Sequence, residues 1–329
     1  MRQICVIPGD GIGPEVMEAC VKVLESVTNK LKFVPAEIGM NAYRKCGKYL
    51  PEETVHLLQH TDACLFGAIT TPPTPDYRSP LLAIRQGLKL YANVRPVCSL
   101  IPDKRKIDLV IIRENTEDLY VGLEEFHGSY AVAAKIVTKE ASERIVDFAM
   151  GYARKYGRKK ITYVHKSNVL RKTDGLFAEI FRTKVHGTNL EAEEVYVDTC
   201  ALNLVTSPEN FDIILTLNLY GDILSDLAAG LVGGLGFAPS ANLGENYAMF
   251  EPVHGSAPSL AGKDEANPTA MILSGAMMLD YLGMEHEAAR IRKAISNVYA
   301  SGVKTMDIGG NIGTREFTEI VVKEIEKEI

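Results

Sequence analysis

The chain has 329 residues, of which 46% are hydrophobic and 24% charged, a composition typical of a folded protein and not of a disordered one. Its 36 basic and 42 acidic residues give a formal net charge of −6, and no block of Lys and Arg occurs, so nucleic-acid binding is disfavoured. The longest uncharged run, residues 227–244, contains five Gly and one Pro, so no membrane span is expected. A small molecule is the expected partner.

The cysteines are dispersed and form no CxxC pair, which argues against a disulfide framework or a zinc site. The opening residues, MRQICVIPGDG, indicate a strand that enters a turn, and not an export signal. We therefore expect reduced thiols in a cytoplasmic protein. The six cysteines are Cys5, Cys20, Cys46, Cys64, Cys98 and Cys200.

Short apolar runs rich in Val and Ile alternate with longer segments of helical period. Strands are predicted at residues 4–7, 63–66, 108–112, 161–164 and 211–215, and helices at 14–27 and 141–156, the second ending at Gly157. This alternation predicts an α/β protein built on a largely parallel sheet. At about 150 residues per domain, the length suggests two domains. Because no Gly/Ser linker occurs, we expect the chain to cross into the second domain and return.

A glycine-rich segment, PGDGIGP at residues 8–14, lies between the first predicted strand and helix. A dinucleotide fingerprint of the form GxGxxG would need Gly at position 14, where the chain has Pro14. We therefore favour a tight turn, in which Gly allows unusual backbone angles and Pro occupies the first helical turn.

Two acids follow the strand predicted at residues 211–215. A helix that starts near Gly221 would place Asp222 and Asp226 on one face, four residues apart. Such a pair of carboxylates suits a hard divalent cation such as Mg²⁺ or Mn²⁺. A solvated helix start, where acids interact favourably with the helix dipole, explains the pair equally well.

Further polar side chains lie at the ends of predicted strands. Arg113 follows the run 108–112, Lys166 follows 161–165, and Asp198 ends 194–198. Ligands collect at the carboxyl edge of open α/β sheets. Singly, each such residue is more often a surface or core residue. Together with three others they provide the groups for anion recognition and proton transfer: Arg85, Arg95 and Tyr120.

With these residues in these positions, the chain resembles a known family, the β-decarboxylating hydroxyacid dehydrogenases that act on isocitrate, isopropylmalate and homoisocitrate. The resemblance rests on IPGDGIGPE, LYANVRP, RENTEDLY, HKSNVLRKTDGLF, GDILSDLAAGLVGGLGFAPSANLG, FEPVHGSAP and ANPTA, which span the chain in order. It implies a two-domain α/β fold distinct from a standard Rossmann fold. Residues 1–90 and 233–329 would form the large cofactor-binding domain. Residues 91–232 would form the small domain, with the substrate and metal residues and the dimer interface.

The resemblance also implies a role for each matching residue. Arg85, Arg95 and Arg113 should bind the malate-like carboxylates of a hydroxy di- or tricarboxylate. Tyr120 and Lys166 should transfer protons, and Asp198, Asp222 and Asp226 should bind Mg²⁺ or Mn²⁺. Lys166 and Asp198 should reach into the active site of the partner in a homodimer with shared sites, and a tetramer remains an alternative. The nicotinamide cofactor should contact Asn168, Glu251, His254, Gly255, Ser256, Ala257, Ser259 and Asn267.

Substrate choice should depend on the segment from Arg78 to Leu82. Arg78 and Ser79 suit a distal carboxylate, whose unpaired burial would be costly, whereas Leu81 and Leu82 suit an isopropyl group. YxSP followed by two aliphatic residues is closest to homoisocitrate dehydrogenases, which yield 2-oxoadipate. Isopropylmalate, of leucine biosynthesis, and then isocitrate remain alternatives, and Arg78 can also point into solvent.

The cofactor is expected to be NAD, with NADP still open. After His254 the family places Asp in NAD-dependent members and Lys-Tyr in NADP-dependent isocitrate dehydrogenases, whereas this chain has Ser259 and Leu260. A relative of a different class, a regulatory subunit without activity, would be expected to lack some of the proton-transfer and metal residues. All five are present, so an enzyme is the expected outcome.

Overall fold

The computed structural model describes residues 1–72, 77, 79–102 and 105–327. Twelve strands lie within these ranges. They are β1 (Arg2–Gly9), β2 (Leu31–Pro35), β3 (Ala63–Ala68), β4 (Ala92–Cys98), β5 (Asp108–Glu114), β6 (Glu124–Phe126), β7 (Ala131–Ala133), β8 (Lys160–His165), β9 (Glu191–Tyr196), β10 (Ile213–Thr216), β11 (Pro239–Leu243) and β12 (Ala248–Pro252).

Eleven α-helices occur in the same described ranges. They are α1 (Gly13–Val27), α2 (Gly39–Cys46), α3 (Glu52–His60), α4 (Pro80–Gly87), α5 (Lys139–Tyr156), α6 (Thr173–Val185), α7 (Val197–Thr206), α8 (Asn218–Val232), α9 (Thr269–Tyr281), α10 (Glu285–Ala300) and α11 (Thr314–Glu326). None of them is both long and apolar enough to span a bilayer.

Ten strands form one sheet in the order β2-β1-β3-β12-β11-β4-β5-β10-β8-β9, which confirms the α/β class. Six of the nine pairings are parallel, as expected, but the central pairings β12–β11, β11–β4 and β4–β5 are antiparallel. The short connections 99–107 and 244–247 return the chain directly beside the preceding strand, which only an antiparallel pair allows. A standard Rossmann sheet has no such antiparallel centre, so the two folds are distinct.

The core of the described residues consists of three apolar clusters, of which two are large. In the larger one, α1, α9, α10 and α11 pack with the strands that begin the chain, and in the other α5 and α6 pack on β5, β8 and β10. The larger cluster also includes Leu109, Ile111 and Leu224. The division into 1–90 plus 233–329 and 91–232 stays a prediction, because the core and the sheet both cross those boundaries.

The helix that carries the two acids begins at Asn218, three residues earlier than expected. Its start is fixed from elsewhere in the chain, since Asp118 Oδ2 accepts a hydrogen bond from the Leu219 N–H at 2.9 Å. Asp222 and Asp226 still share one face of α8. Asp198 does not end a strand, because β9 stops at Tyr196 and Asp198 lies in the first turn of α7.

Candidate active site

A pocket of about 240 Å³ lies on one face of the sheet, over its antiparallel centre. The register explains why polar groups meet there. Asn93 lies opposite both Arg113 and Asn242, and Ser240 lies opposite Glu251, so alternate residues of four adjacent strands face the same side. The pocket brings together ten residues of the predicted site: Ser79, Leu81, Arg85, Arg95, Arg113, Tyr120, Asp222, Glu251, His254 and Gly255.

Arg113 has its whole side chain inside the protein, with 1% of it exposed. Its Nε donates to Asn218 Oδ1 at 2.9 Å, and its Nη1 donates to Asp222 Oδ1. The guanidinium carbon lies 5.0 Å from the centre of the Tyr120 ring. Burial lowers the pKa of Arg113, while the charge of Asp222 opposes that shift. The guanidinium is therefore held rigidly at the pocket by an amide, a carboxylate and a ring.

Arg95 is equally fixed. Its Nε donates to Asn93 Oδ1 and its Nη1 to Ser225 Oγ, both at 2.6 Å, and Nη1 lies 3.3 Å from Asp222. Burial, together with the nearby charge of Arg113, lowers the pKa of Arg95 to about 10. A guanidinium with this pKa still carries its charge near neutral pH, so the pocket presents fixed cations to an anion.

A network of buried amides supports these cations, and the sequence analysis did not find it. Asn93 Nδ2 donates to Ser240 Oγ at 2.7 Å and to Asn242 Oδ1 at 3.0 Å. Asn242 Nδ2 donates in turn to Glu251 Oε1 at 2.6 Å, which also accepts from Arg85 Nη2 at 2.8 Å. The sequence does contain a signal for this network, because polar residues stand at alternate positions, 93 and 95 and also 240 and 242, within otherwise apolar strands.

Tyr120 lies on a short 3₁₀ turn after β5, and its hydroxyl donates to Asp222 Oδ2 at 2.5 Å. Burial and this hydrogen bond raise the pKa of Tyr120, although Arg113 opposes the shift. Burial also acts to raise the pKa of Asp222, but Arg113 and Arg95 outweigh it and hold that pKa below its usual value. Near neutral pH the pair is therefore a protonated phenol beside an ionised carboxylate.

Asp226 lies one turn further along α8, with its carboxylate 3.8 Å from Arg95. Burial raises its pKa, and the charge of Asp222 adds to that effect. Within the described ranges, one chain contains no group of three or more His, Cys, Asp and Glu placed to hold a metal ion. Asp222 and Asp226 are both partly exposed to solvent.

Lys166 and Asp198 form a separate group. Lys166 follows β8 directly, and its Nζ is hydrogen-bonded to Asp198 Oδ1, which lowers the pKa of that carboxylate. In the described part of one chain, neither residue has a hydrogen bond or ion pair with Tyr120 or Asp222. Asn168 is exposed in the same turn. A single chain therefore does not bring all the predicted proton-transfer and metal residues together.

The predicted cofactor residues extend along the loop after β12. His254 Nε2 is buried without a hydrogen-bond partner among the described residues, so one polar atom here is free for a ligand. The Ser256 carbonyl accepts from the Ile12 N–H at 2.8 Å, and a Cβ on Gly11 would lie 1.9 Å from that carbonyl oxygen. The glycine-rich turn therefore packs closely against this loop, and the close approach leaves no room for a side chain at position 11.

The remaining residues of the loop differ in burial, since Asn267 is buried whereas Ala257 is only partly buried. Ala257 has a positive φ of 35°, Ser259 is exposed, and Asn267 Nδ2 donates to Asp307 at 3.0 Å. In the substrate segment, Ser79 and Leu81 line the pocket, and Leu82 is half-buried beside it. Arg78 lies outside the described residues.

The fold and the site thus define an α/β protein whose pocket holds fixed cations beside a phenol and paired carboxylates. The family model for isocitrate/isopropylmalate dehydrogenase matches residues 3–321. The chain is 45% identical to a homoisocitrate dehydrogenase of Methanocaldococcus jannaschii, covering 100% of this chain and 99% of that protein. It is 48% identical to a 3-isopropylmalate dehydrogenase of Methanothermobacter thermautotrophicus, covering 98% of each.

Among solved structures, the isocitrate dehydrogenase of Methylococcus capsulatus superposes with a TM-score of 0.96 at 44% identity, covering 99% of both chains. The chain belongs to the isocitrate/isopropylmalate dehydrogenase family, which confirms the resemblance. It is an oxidoreductase of the β-decarboxylating dehydrogenase type, a class that acts on small hydroxy acids and generally depends on NAD and a metal.

Proposed function

We propose that the protein oxidises and decarboxylates homoisocitrate, or a longer homologue, to the 2-oxo acid. The observation that carries this proposal is the pocket itself, where three arginines converge and Ser79 lines the same cavity. Arg95 and Arg113 suit the malate-like carboxylates, because guanidinium groups bind carboxylates through paired hydrogen bonds. Arg85 Nε is buried without a partner in the described structure and is free to donate as well. Ser79 would bind a distal carboxylate.

Tyr120 is the proton donor in this proposal. Its raised pKa keeps the phenol protonated near neutral pH, and Asp222 and the Arg113 guanidinium fix the ring and its Oη. The hydroxyl can therefore deliver a proton to the substrate carbon that loses CO₂. Lys166 of the partner subunit would take the proton from the substrate hydroxyl through its Nζ.

A homodimer with shared sites follows from this assignment. Support comes from exposed apolar side chains on the elements near Asp198 and Asp222: Leu202 and Val205 on α7 are 61% and 54% exposed, and Ile223 on α8 is 57% exposed. The two-stranded ribbon β6–β7 adds Phe126, exposed by 77%. Exposed apolar side chains of this kind favour contact with a second copy.

Asp222 and Asp226, with Asp198 of the partner subunit, would hold Mg²⁺ or Mn²⁺. The donor set fits, because all three are carboxylates with exposed area and a hard cation prefers oxygen ligands. Such an ion would lower the pKa of the substrate hydroxyl and stabilise the negative charge that develops on loss of CO₂.

The loop from Glu251 to Asn267 would bind NAD, which supplies the hydride acceptor. The unpartnered His254 Nε2 supports this, and Ser259 is exposed and able to bond a ribose hydroxyl. No Lys or Arg stands beside Ser259 to favour NADP. All six cysteines are free thiols, which supports the proposed cytoplasmic location.

A second candidate substrate, 3-isopropylmalate, is favoured by Leu81, which lines the same pocket. The test is a panel of initial rates with homoisocitrate, isopropylmalate and isocitrate, each with NAD and NADP, compared as kcat/KM. We expect homoisocitrate with NAD to give the highest kcat/KM. A higher value for isopropylmalate contradicts the substrate assignment and leaves the reaction class intact.

Shared sites are tested by mixing two inactive variants, Tyr120→Phe and Lys166→Met, after dissociation and reassociation. In a mixed dimer with shared sites, one site has both damaged residues and the other has neither. Random mixing then recovers about one quarter of wild-type activity, since about half of the dimers are mixed and one of their two sites is intact. No recovery contradicts shared sites.

A further inference from the structure

A buried lysine outside the pocket links the two parts of the chain that carry the proton-transfer residues. Lys135 follows the β6–β7 ribbon, and 12% of its side chain is exposed. Its Nζ lies 2.9 Å from Asp174 Oδ1, 3.5 Å from Asp118 Oδ1 and 4.3 Å from the centre of the Tyr220 ring. One ammonium group thus faces two carboxylates that are themselves almost completely buried, and it offsets one of their two negative charges.

Asp174 holds the backbone at Lys166. Its carboxylate is completely buried at the start of α6, and Oδ2 accepts from the Lys166 N–H at 2.7 Å and from the Tyr220 hydroxyl at 3.0 Å. Oδ1 of the same carboxylate faces Lys135, so that lysine is one of the groups that hold the acceptor for the Lys166 N–H in place. Tyr220 is on α8, two residues before Asp222.

Asp118 holds the turn that carries Tyr120. Its Oδ1 accepts from the Leu119 N–H and its Oδ2 from the Leu219 N–H, both at 2.9 Å. Its backbone has φ 71° and ψ −146°, a conformation that residues other than Gly rarely adopt. A strained residue of this kind persists only where its surroundings over-determine it, and strain concentrates at functional sites.

We propose that Lys135 is a positioning residue for both members of the proton-transfer pair, Tyr120 of its own site and Lys166 for the partner's site. The inference rests on the proposed function. Without the ammonium, Asp118 and Asp174 become two buried, unpaired carboxylates, so they must separate or take up water. Either movement displaces the turns that they hold. Displacement of a reacting group by about 1 Å costs on the order of 10²-fold in rate.

The test compares Lys135→Met and Lys135→Arg with a matched control, Lys160→Met. Lys160 is also mostly buried and also faces two carboxylates, Glu193 at 2.8 Å and Glu191 at 3.9 Å, but it lies at the start of β8, away from the pocket. We expect Lys135→Met to lower kcat by about 10- to 100-fold, with KM for the hydroxy acid changed by less than about threefold, because the arginines are untouched. Lys135→Arg should recover part of kcat, and Lys160→Met should match the wild type.

Equal kcat values for Lys135→Met and Lys160→Met overturn the proposal, as does a fall that appears in KM alone. If Lys135→Met does not fold, the double variant K135M/D118N is measured instead, because it also removes one of the two buried negative charges. A wild-type kcat for this double variant overturns the proposal. Tyr120→Phe and Lys166→Met are measured alongside. If those two variants are fully active, the proposed function itself is wrong, and the result does not concern the role of Lys135 alone.

The mixed dimers assign the effect to each site. Lys135→Met added to the Tyr120→Phe subunit acts only through Lys166, and added to the Lys166→Met subunit it acts only through Tyr120. We expect recovered activity to fall by about tenfold or more in both arrangements. A fall in only one arrangement overturns the claim that Lys135 positions both residues.

Discussion

The contact between Gly221 and the Arg113 side chain allows a sharp test of how the pocket is built. Gly221 lies on α8, and a Cβ placed there would meet Arg113 Cγ at 2.6 Å and Arg113 Cβ at 2.7 Å. Carbon atoms in good contact are about 3.5–4.0 Å apart, so the added methyl overlaps by about 1 Å. The atoms it meets are at the base of the arginine side chain and cannot swing away.

For Gly221→Ala, two effects compete. Alanine favours a helix interior over glycine by about 1 kcal/mol, whereas overpacking a rigid site costs about 1–3 kcal/mol. We therefore expect a net loss of about 0–2 kcal/mol in the free energy of unfolding. The larger effect falls on activity, because the Arg113 guanidinium must move by a substantial part of 1 Å and kcat/KM should drop by about 10- to 100-fold.

Gly230→Ala is the matched control. Gly230 lies on the same helix, and nothing lies within 4 Å of a Cβ built on it. This variant should be as stable as the wild type or more stable by up to about 1 kcal/mol, with unchanged kcat/KM. The assays are denaturant unfolding and initial rates. If Gly221→Ala is stabilised like Gly230→Ala and keeps wild-type kcat/KM, the steric argument is refuted.

Three more variants test the site and its surroundings. Tyr120→Phe should lower kcat by about 10²- to 10⁴-fold while the Tm stays nearly unchanged; near-normal turnover refutes its role as proton donor. Addition of Mn²⁺ together with the hydroxy acid should raise the Tm of the wild type, and Asp226→Asn should remove most of that rise. If the Tm of the variant rises as much as that of the wild type, the ion binds elsewhere. The hydrogen bond from Arg182 lowers the pKa of Glu194 to about 2, outweighing burial, which acts to raise it. The ionised form therefore contributes stability above the ordinary pKa of about 4.5 that is lost as the pH falls towards 2. Glu194→Gln should flatten the fall of Tm between pH 5 and about 3, and an unchanged slope contradicts this assignment.

Local patterns in the sequence predicted the elements well, because they depend on neighbours along the chain. The amphipathic helix after the glycine-rich turn and the stop at Gly157, whose backbone is left-handed, are both present. Arg113 also lies at the end of its strand as expected. The antiparallel centre of the sheet was not predicted, since the order of strands depends on contacts between residues far apart in sequence.

The site was predicted in parts for the same reason. Spacing alone identified Asp222 and Asp226, but the start of their helix depends on Asp118, about 100 residues earlier in the chain. The amides that hold Arg95 and Glu251, Asn93 and Asn242, come from two strands that are far apart in sequence, and only the register shows that they meet. The roles of Lys166 and Asp198 stay predictions, because a single chain does not bring them to the pocket.

The buried arginines also determine how substrate binding can respond to acidity. With a pKa of about 10, Arg95 loses its proton in only about one molecule in a thousand at pH 7, and it gains nothing on acidification. Its charge, and with it its attraction for an anion, is therefore nearly constant from mild acid to neutral pH. A weakening of substrate binding in mild acid would therefore come from groups other than Arg95, among them the carboxylates of the substrate itself. A substrate whose carboxyl groups have a higher pKa should then lose affinity at a higher pH.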